Sequence, residues 1–323
     1  MIVDILLLIG GLVLILGGAN YMTDGAVAVA KKMGMSDFIV GLTVVSMMTS
    51  APELVVSITS AFNASTDMAI GNIVGSNIFN ILMIVGIVAL VRPITVKPGI
   101  LVNEIPLVLL SSVVLLVMGC APWLDGTPMQ LTRVNGIILL LFFIVFMRYT
   151  VASSKRTTPS ETEKEESNRR KPMKTWVALV ALVGGLAALI GGGDMFVDGA
   201  TGLARRLGWS EALIGLTILA AGTSLPELAT SVAAALKGFP GLCLGNVIGS
   251  NIFNIFMVLG LTATIKPLQF GQISLFDLLV LAGSSLLFWI VGRFNGTRLI
   301  KRGEGALMVA IYVAYIVTLY ITM

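Results

Sequence analysis

Two glutamates lie inside segments that are otherwise apolar enough to cross a bilayer. The first ends the run Thr-Ser-Ala-Pro-Glu at Glu53, and the second ends Thr-Ser-Leu-Pro-Glu at Glu227, 174 positions later. An ionisable group at membrane depth is costly, so it marks a functional site. The proline before each glutamate removes a backbone donor and frees carbonyl oxygens that hydrocarbon cannot satisfy. The pair therefore predicts two related polar sites within a membrane.

Further oxygen-bearing side chains accompany each glutamate. At helical spacing they share a face with it, and in the following segment of each half a serine and an asparagine stand four residues apart. Such oxygens, with the loosened carbonyls, are hard ligands that suit Na⁺, K⁺, Ca²⁺ or Mg²⁺ rather than soft metals. The side chains are Ser46, Thr49, Ser50 and Ser57 with Glu53; Thr223, Ser224 and Ser231 with Glu227; and the pairs Ser76 and Asn80, and Ser250 and Asn254.

The composition indicates the elements that must hold these groups. The chain has 323 residues, of which 56% are hydrophobic and 12% are charged, whereas a soluble domain carries about 25% charged residues. We therefore predict an all-α polytopic membrane protein, with about 20 apolar residues in each span. The ten predicted spans are 3–24, 36–61, 68–91, 100–120, 132–151, 175–197, 210–236, 242–264, 272–292 and 303–322.

The chain is an internal duplication. An offset of 174 positions places Gly18 on Gly192 and continues without a gap to Gly86 on Gly260. We predict a first five-helix repeat over 1–151, a cytoplasmic linker over 152–174, and a second five-helix repeat over 175–323. The linker is polar and has no apolar periodicity, which is typical of a solvated loop.

Basic residues predict the orientation. With ten spans, 17 of the 21 Lys and Arg residues fall on one side, and nine of thirteen remain there without those between 148 and 174. The positive-inside rule makes that side cytoplasmic, which places both termini on the outer side of the plasma (inner) membrane. Five spans per repeat is an odd number, so equivalent helices cross in opposite directions. This is the inverted architecture of alternating-access transporters, with a binding site near the midplane.

Glycines mark the first helix of each half, at positions 10–11 and 17–18 and again at 184–185 and 191–193. Small residues at these spacings let helix backbones approach closely. Close packing accounts for the pattern, and a surface along which the two helices slide is the second interpretation.

Other classes of function are disfavoured. The chain has no histidine, the commonest general base and metal ligand, and we expect no enzyme activity and no cofactor. The net charge of +4 follows from topology, so we expect no nucleic-acid partner, and nothing in the sequence implies a protein partner. Cys120 and Cys243 are interpreted as small buried side chains rather than as a disulfide.

The duplicated motifs resemble the α-repeats of the calcium/cation antiporter superfamily. The resemblance rests on Gly-Leu-Thr, Thr-Ser-Ala-Pro-Glu-Leu and Gly-Asn-Ile-Val-Gly-Ser-Asn-Ile-Phe-Asn, each followed by a second copy. Within that superfamily the chain is most similar to prokaryotic sodium/calcium exchangers. The resemblance implies ten helices in two inverted halves, a central group of cation sites, and sliding of the first and sixth helices as a gate.

The resemblance also implies which residues bind the ions. Glu53 and Glu227 would be the principal ligands for Ca²⁺ and Na⁺ in turn. Hydroxyl or carbonyl oxygens would come from Thr49, Ser50, Ser76, Thr223, Ser224 and Ser250, amides from Asn80 and Asn254, and backbone carbonyls from Ser46 and Ala220. Two positions depart from the family pattern: Met48 stands where glycine is frequent, and Asn254 stands where some members have aspartate.

The predicted function is antiport of Na⁺ against Ca²⁺ by alternating access at a site built from both repeats. Two glutamates supply a charge of −2, which one Ca²⁺ or at least two Na⁺ ions would neutralise. A Ca²⁺/H⁺ exchanger or a K⁺-dependent cation exchanger of the same fold is the nearest alternative. A passive cation channel, which would use similar oxygen ligands, is the alternative from another class.

Overall fold

A computed structural model describes residues 1–62, 66–124, 126–154, 173–208, 220–294 and 298–322. Helices account for nearly all of them, because an α-helix satisfies every backbone donor and acceptor within its own segment, as a bilayer requires. The α-helices are α1 (Ile2–Met33), α2 (Asp37–Val40), α3 (Ser46–Thr49), α4 (Ala51–Phe62), α5 (Thr66–Ile78), α6 (Val85–Val91), α7 (Ile105–Gly119), α8 (Ala121–Leu124), α9 (Arg133–Ser154), α10 (Thr175–Arg206), α11 (Ala220–Gly222), α12 (Leu225–Leu236), α13 (Pro240–Ile252), α14 (Gly260–Ile265), α15 (Leu275–Phe294) and α16 (Arg302–Thr322).

Within the described residues, four π-helical segments interrupt the α-helices. They are π1 (Gly41–Val45), π2 (Phe79–Ile84), π3 (Ile100–Glu104) and π4 (Phe253–Leu259). Two of them, π2 and π4, begin 174 positions apart, so the duplication extends to this uncommon backbone geometry. Segments of π-helix are rare and frequently occur at functional sites.

The predicted spans agree with the helices. Within the described residues, nine helices are long and apolar enough to cross a membrane. The remaining predicted span, 210–236, starts in a part of the chain outside the described residues, and its described part contains the apolar helix α12. The first helix of each half is longer than predicted: α1 and α10 each have 32 residues.

The helices group into two compact units that do not follow the two halves of the sequence. The first unit contains 1–49, 154–247 and 310–323, and the second contains 50–153 and 248–309. Each unit therefore combines segments from both repeats.

In the first unit, α1 and α10 pack against each other through glycines. Three glycines of each helix stand seven residues apart, which places them along one stripe. A Cβ atom built on Gly18 would lie 2.7 Å from the carbonyl oxygen of Gly185, and one on Gly11 would lie 2.6 Å from that of Gly192. We call this contact the glycine seam; its members are Gly11, Gly18 and Gly25 of α1 and Gly185, Gly192 and Gly199 of α10.

The register of the glycine seam shows how the two helices run. Going forward along α1 from Gly11 to Gly18, the contact moves backward along α10 from Gly192 to Gly185. The helices are therefore antiparallel. They are also the first helices of the two repeats, so equivalent helices run in opposite directions, as the odd number of spans per repeat predicted.

In the second unit, two short antiparallel β-ribbons join the repeats. Strand β1 (Ile94–Thr95) pairs with β4 (Leu299–Ile300), and β2 (Gln130–Leu131) pairs with β3 (Leu268–Gln269). Each ribbon connects the chain after the third segment of one half to the chain before the last helix of the other. The sequence analysis did not predict these strands.

Candidate cation-binding site

The segment before Glu53 is a broken helix, as the proline predicted. Helix α3 ends at Thr49, Ser50 forms a turn, and α4 begins at Ala51. Pro52 has no N–H to donate to the preceding turn, and the first bond of the new helix runs from Leu54 N to the carbonyl of Ser50 at 3.2 Å.

The second copy breaks in the same place. Thr223 and Ser224 form a turn between α11 and α12, and Pro226 lies in the first turn of α12. Ser224 has φ −92° and ψ 4°, which is outside regular helix geometry. Because proline has no N–H, the carbonyls of Met48 and Gly222 do not receive the bond from four residues later that a regular helix would supply. Glu53 and Glu227, one residue after each proline, are both 0% exposed.

In the second unit, hydrogen bonds link Glu53 to residues of both repeats. Ser76 Oγ lies 3.3 Å from Glu53 Oε1, and Asn254 Nδ2 lies 3.3 Å from Ser76 Oγ. Asn254 Nδ2 also donates to Asn77 Oδ1 at 3.0 Å, and Asn77 Nδ2 donates to the carbonyl of Asn251 at 3.1 Å. We call this set the asparagine network: Glu53, Ser76, Asn77, Asn254 and the Asn251 carbonyl.

In the first unit, the Asn246 side chain forms hydrogen bonds with residues at or next to both helix breaks. Asn246 Oδ1 accepts from Thr49 Oγ1 at 3.2 Å, and Asn246 Nδ2 donates to Ser231 Oγ at 3.1 Å and to the carbonyl of Glu227 at 3.5 Å. Asn246 reaches Thr49 because Gly245 allows α13 to lie directly against the carbonyl of Phe38. The amide thus joins the break of one repeat to the glutamate turn of the other.

Several buried polar side-chain atoms of the second unit make no hydrogen bond to the described residues. Within the described part of the chain, the amide of Asn80, Ser250 Oγ, Asn254 Oδ1 and Ser57 Oγ have no hydrogen-bond partner, and all four residues are 0% exposed. Buried polar atoms are almost always hydrogen-bonded, so unpartnered ones call for a ligand or another functional reason. Asn80 and Asn254 are the second residues of π2 and π4, a helix type that is frequently found at functional sites.

The other predicted ligands have separate positions. Ser46 is buried and donates to the carbonyls of Leu42 and Thr43 at 2.9 and 3.2 Å, so its hydroxyl bonds its own helix. Ser50 and Ser224 are 0% exposed, and Thr223 is half-buried. Ala220 begins α11. The roles of the carbonyls of Ser46 and Ala220 stay predictions.

Packing gives a physical reason for glycine at position 222, the counterpart of Met48 in the second repeat. A Cβ on Gly222 would clash with Cγ2 of Val197 on α10. A larger residue at this position would require the Val197 side chain to move, so the close approach of α10 favours glycine in the second repeat. Its counterpart Met48 is half-buried, so the first repeat accommodates a long side chain at this position.

Three asparagines of these networks were not among the predicted site residues. Asn77, Asn246 and Asn251 belong to the duplicated Gly-Asn-Ile-Val-Gly-Ser-Asn and Gly-Asn-Val-Ile-Gly-Ser-Asn runs. Their recurrence at the 174-residue offset was a visible signal. Their role was not visible, because it depends on which helix of the other repeat lies opposite them.

Two other buried acids, Asp277 and Glu104, have local structural roles. Asp277 Oδ2 accepts from the backbone N–H and hydroxyl of Ser274, as a helix cap does. Glu104 Oε1 accepts from the Tyr149 hydroxyl at 2.8 Å.

Within the described residues, no group of three or more His, Cys, Asp or Glu side chains could hold a metal. A cation bound by the described residues would therefore need hydroxyl, amide and carbonyl oxygens as ligands in addition to carboxylate oxygens. Hard cations accept this mixture of ligands.

Comparison with known proteins identifies the family. The sequence profile of the sodium/calcium exchanger protein family matches residues 3–152 and 177–321. The chain belongs to the sodium/calcium exchanger family. It is 33% identical to the sodium/calcium exchanger MaX1 of Methanosarcina acetivorans over 98% of this chain and 99% of that protein. It is 38% identical to the inner membrane protein YrbG of Escherichia coli over 97% and 96% of the two chains.

Solved structures give the same result. The sodium-calcium exchanger NCX_Mj superimposes on this chain with a TM-score of 0.82 at 31% identity, over 98% of both chains. The predicted ten-helix inverted fold is consistent with that structure. The sequence-based assignments of family, fold class and a transporter rather than an enzyme are therefore confirmed, and the chain is a multi-pass membrane protein.

Proposed function

We propose that this exchanger-family member is an antiporter that exchanges Na⁺ for Ca²⁺ by alternating access. The observation that carries the proposal is the asparagine network. Ser76 Oγ lies 3.3 Å from Glu53 Oε1 of the same repeat and 3.3 Å from Asn254 Nδ2 of the other repeat. Asn254 Oδ1 makes no hydrogen bond to the described residues. The printed names of MaX1 and NCX_Mj, which are sodium/calcium exchangers, support the choice of ions.

Charge explains why the two ions compete. A fully buried carboxylate is costly unless a counter-charge neutralises it. Glu53 and Glu227 together carry −2, so we propose that one Ca²⁺ or at least two Na⁺ ions balance them. The hydroxyl, amide and carbonyl oxygens that we propose as further ligands have no charge, so they add coordination without changing that balance. They are Thr49, Ser50, Ser76, Asn80, Thr223, Ser224, Ser250 and Asn254, with the carbonyls of Ser46 and Ala220.

We further infer that the protein lies in the plasma (inner) membrane with both termini on the outer side and residues 152–174 in the cytoplasm. The bias of basic residues supports this orientation, and YrbG is named an inner membrane protein. The test replaces Cys120 and Cys243 with alanine and introduces a single cysteine near position 1 or near position 160, which a membrane-impermeant thiol label then probes in intact cells. Labelling at the first position and not at the second is expected, and the reverse pattern contradicts the orientation.

The experiment that tests the function imposes one gradient at a time. Purified protein is reconstituted into liposomes, and ⁴⁵Ca²⁺ uptake is measured with a Na⁺, K⁺ or H⁺ gradient directed outward. We expect uphill Ca²⁺ uptake with the Na⁺ gradient alone. Uptake driven by the H⁺ gradient, or a requirement for K⁺, would assign a different coupling ion. Flux that only dissipates the Ca²⁺ gradient would indicate a channel.

A further inference from the structure

We propose that Asn77 is a positioning residue that fixes the direction of the Asn254 amide, so that Asn254 presents its oxygen to the transported cation. Asn77 is not among the predicted ligands. The inference rests on the proposed function only in taking a cation to bind at Asn254. It concerns the orientation of hydrogen bonds within the second unit, and the residues involved are all buried.

The orientation begins at a group that can only accept. Asn77 Nδ2 lies 3.1 Å from the backbone carbonyl oxygen of Asn251. A carbonyl oxygen has no proton to donate, so the nitrogen end of the Asn77 amide must face it. The oxygen end of Asn77 therefore faces the other way, and its partner there is Asn254.

The second amide is oriented by the first. Asn77 Oδ1 is an acceptor, so Asn254 must turn its nitrogen towards it, and the two atoms lie 3.0 Å apart. The same nitrogen donates to Ser76 Oγ at 3.3 Å, which uses both of its N–H groups. Asn254 Oδ1 is then left facing away from these partners, buried and with no partner among the described residues.

The orientation continues to the carboxylate. Ser76 Oγ accepts from Asn254, so its own proton is directed to Glu53 Oε1, 3.3 Å away. If the Asn254 amide were rotated by half a turn, its oxygen would compete for that proton and Glu53 would lose a donor. Asn77 therefore affects two proposed ligands, the amide oxygen of Asn254 and the carboxylate of Glu53, without touching the ion itself.

The same argument accounts for asparagine at position 254. An ionised aspartate there would have no proton to donate, so its carboxylate would face Asn77 Oδ1 with two acceptors opposed. The orientation set by the Asn251 carbonyl thus favours a neutral amide at 254. It follows that the asparagine network contains one buried carboxylate, that of Glu53, and no second one.

Two variants of Asn77 separate orientation from packing. In Asn77→Ala the acceptor for Asn254 is lost and the amide can rotate. In Asn77→Asp the side chain keeps an acceptor for Asn254 Nδ2 but loses the donor to the Asn251 carbonyl. Both variants lose a buried hydrogen bond and both should unfold at lower temperature than wild type. Only the alanine variant should lose the orientation of Asn254.

The test measures the Ca²⁺ concentration for half-maximal uptake into Na⁺-loaded proteoliposomes, together with the Ca²⁺-dependent rise in Tm of the purified full-length protein. Removing a residue that orients a ligand lowers metal affinity by roughly 10–100-fold. We expect Asn77→Ala to raise the half-maximal Ca²⁺ concentration about tenfold on that basis. We expect Asn77→Asp to stay within about threefold of wild type or to bind more tightly, because its acceptor remains.

A matched control isolates the loss of a buried hydrogen bond. Ser112 Oγ and Ser285 Oγ lie 2.8 Å apart, both are buried, and they also belong to the second unit. Ser112→Ala should lower Tm and leave the half-maximal Ca²⁺ concentration unchanged. This result would show that lost stability alone does not shift Ca²⁺ affinity.

Two results would overturn the inference: a wild-type half-maximal Ca²⁺ concentration in Asn77→Ala, or an equal loss of affinity in both Asn77 variants. If Asn77→Ala does not fold, Asn77→Asp decides alone, since a large loss of affinity there contradicts the orientation argument. Failure of the proposed function is distinct, because it would appear as absence of Na⁺-driven uptake by the wild type. The Ca²⁺-dependent Tm needs no gradient, so it still ranks the variants in that case.

Discussion

The glycine seam of the first unit and the asparagine network of the second both join the two repeats, but by opposite physical means. At the seam, backbone lies on backbone, and a Cβ on Gly185 would be 2.5 Å from the nitrogen of Met22. In the network, each contact is a directional hydrogen bond between named atoms. Contacts of the first kind tolerate a shift along the helix axis better than contacts of the second kind, because no specific bond is broken. We therefore expect the seam to permit movement and the network to hold ligands in place.

The largest expected effect is at the seam. Gly18→Ala would place a Cβ 2.7 Å from the carbonyl oxygen of Gly185, and overpacking of this kind costs about 3 kcal/mol at the upper end of its usual range. Gly17→Ala is the matched control, because a Cβ there has no neighbour within 4 Å. It should be neutral or stabilise the helix by roughly 0.5 kcal/mol. Unfolding in detergent measures both, and equal stability of the two variants would contradict the seam.

The next effect distinguishes an asparagine that holds structure from one that is open to a ligand. Asn246→Ala leaves Thr49 and Ser231 without their amide partner, which should cost about 2 kcal/mol of unfolding free energy. Asn80→Ala removes a buried amide with no partner within the described residues, so it breaks no hydrogen bond and should lower the unfolding free energy less than Asn246→Ala does. Ca²⁺ affinity should fall in the Asn80 variant. Loss of stability in Asn80→Ala without loss of affinity would reverse the assignment.

A smaller effect is expected where a hydrogen bond joins the repeats away from the glutamates. Ser112 Oγ and Ser285 Oγ each lie within hydrogen-bonding distance of a carbonyl of their own helix as well as of each other, so two hydroxyl protons are shared among three contacts. Replacing one serine with alanine should therefore cost about 1 kcal/mol, and replacing both should cost little more than one. Unfolding of the two single variants and the double variant measures this, and fully additive losses would show that the two hydroxyls do not interact.

The smallest effect concerns an ion pair beside the seam. Lys237 Nζ lies 2.9 Å from Asp24 Oδ1, with both side chains partly exposed. Such pairs contribute about 0.5 kcal/mol, and salt screens them. Asp24→Asn should therefore lower Tm slightly at low ionic strength and not at 1 M salt. A large loss that is independent of salt would mean that Asp24 stabilises the first unit by another interaction.

Much of this architecture could be predicted from the sequence. The lengths of the apolar segments predicted the spans, and the 174-residue offset predicted the repeat. Pro52 and Pro226 predicted the helix breaks. Each of these features depends on residues that are close together or recur in the sequence. The antiparallel run of α1 and α10 followed from an odd number of helices per repeat. The burial of Glu53 and Glu227 followed from the cost of a charge in hydrocarbon.

The rest depends on which segments meet, and no local pattern encodes that. The roles of Asn77 and Asn246 needed the facing helix of the other repeat. The β-ribbons are two residues long and lie between helices, too short for a period of two to be recognised. The glycines of the seam were visible in the sequence. Which glycine of α1 lies against which glycine of α10, such as Gly18 against Gly185, depends on the register of the two helices, which only the structure shows.

The central claim is that Glu53 carries the charge that the transported cations neutralise. Glu53→Gln keeps the shape of the side chain and removes the charge, and Glu304→Gln, at an exposed helix cap that glutamine can still form, is the control. Ca²⁺ uptake driven by a Na⁺ gradient in proteoliposomes measures both. We predict background uptake for Glu53→Gln and wild-type uptake for Glu304→Gln. Wild-type exchange by Glu53→Gln would contradict the claim.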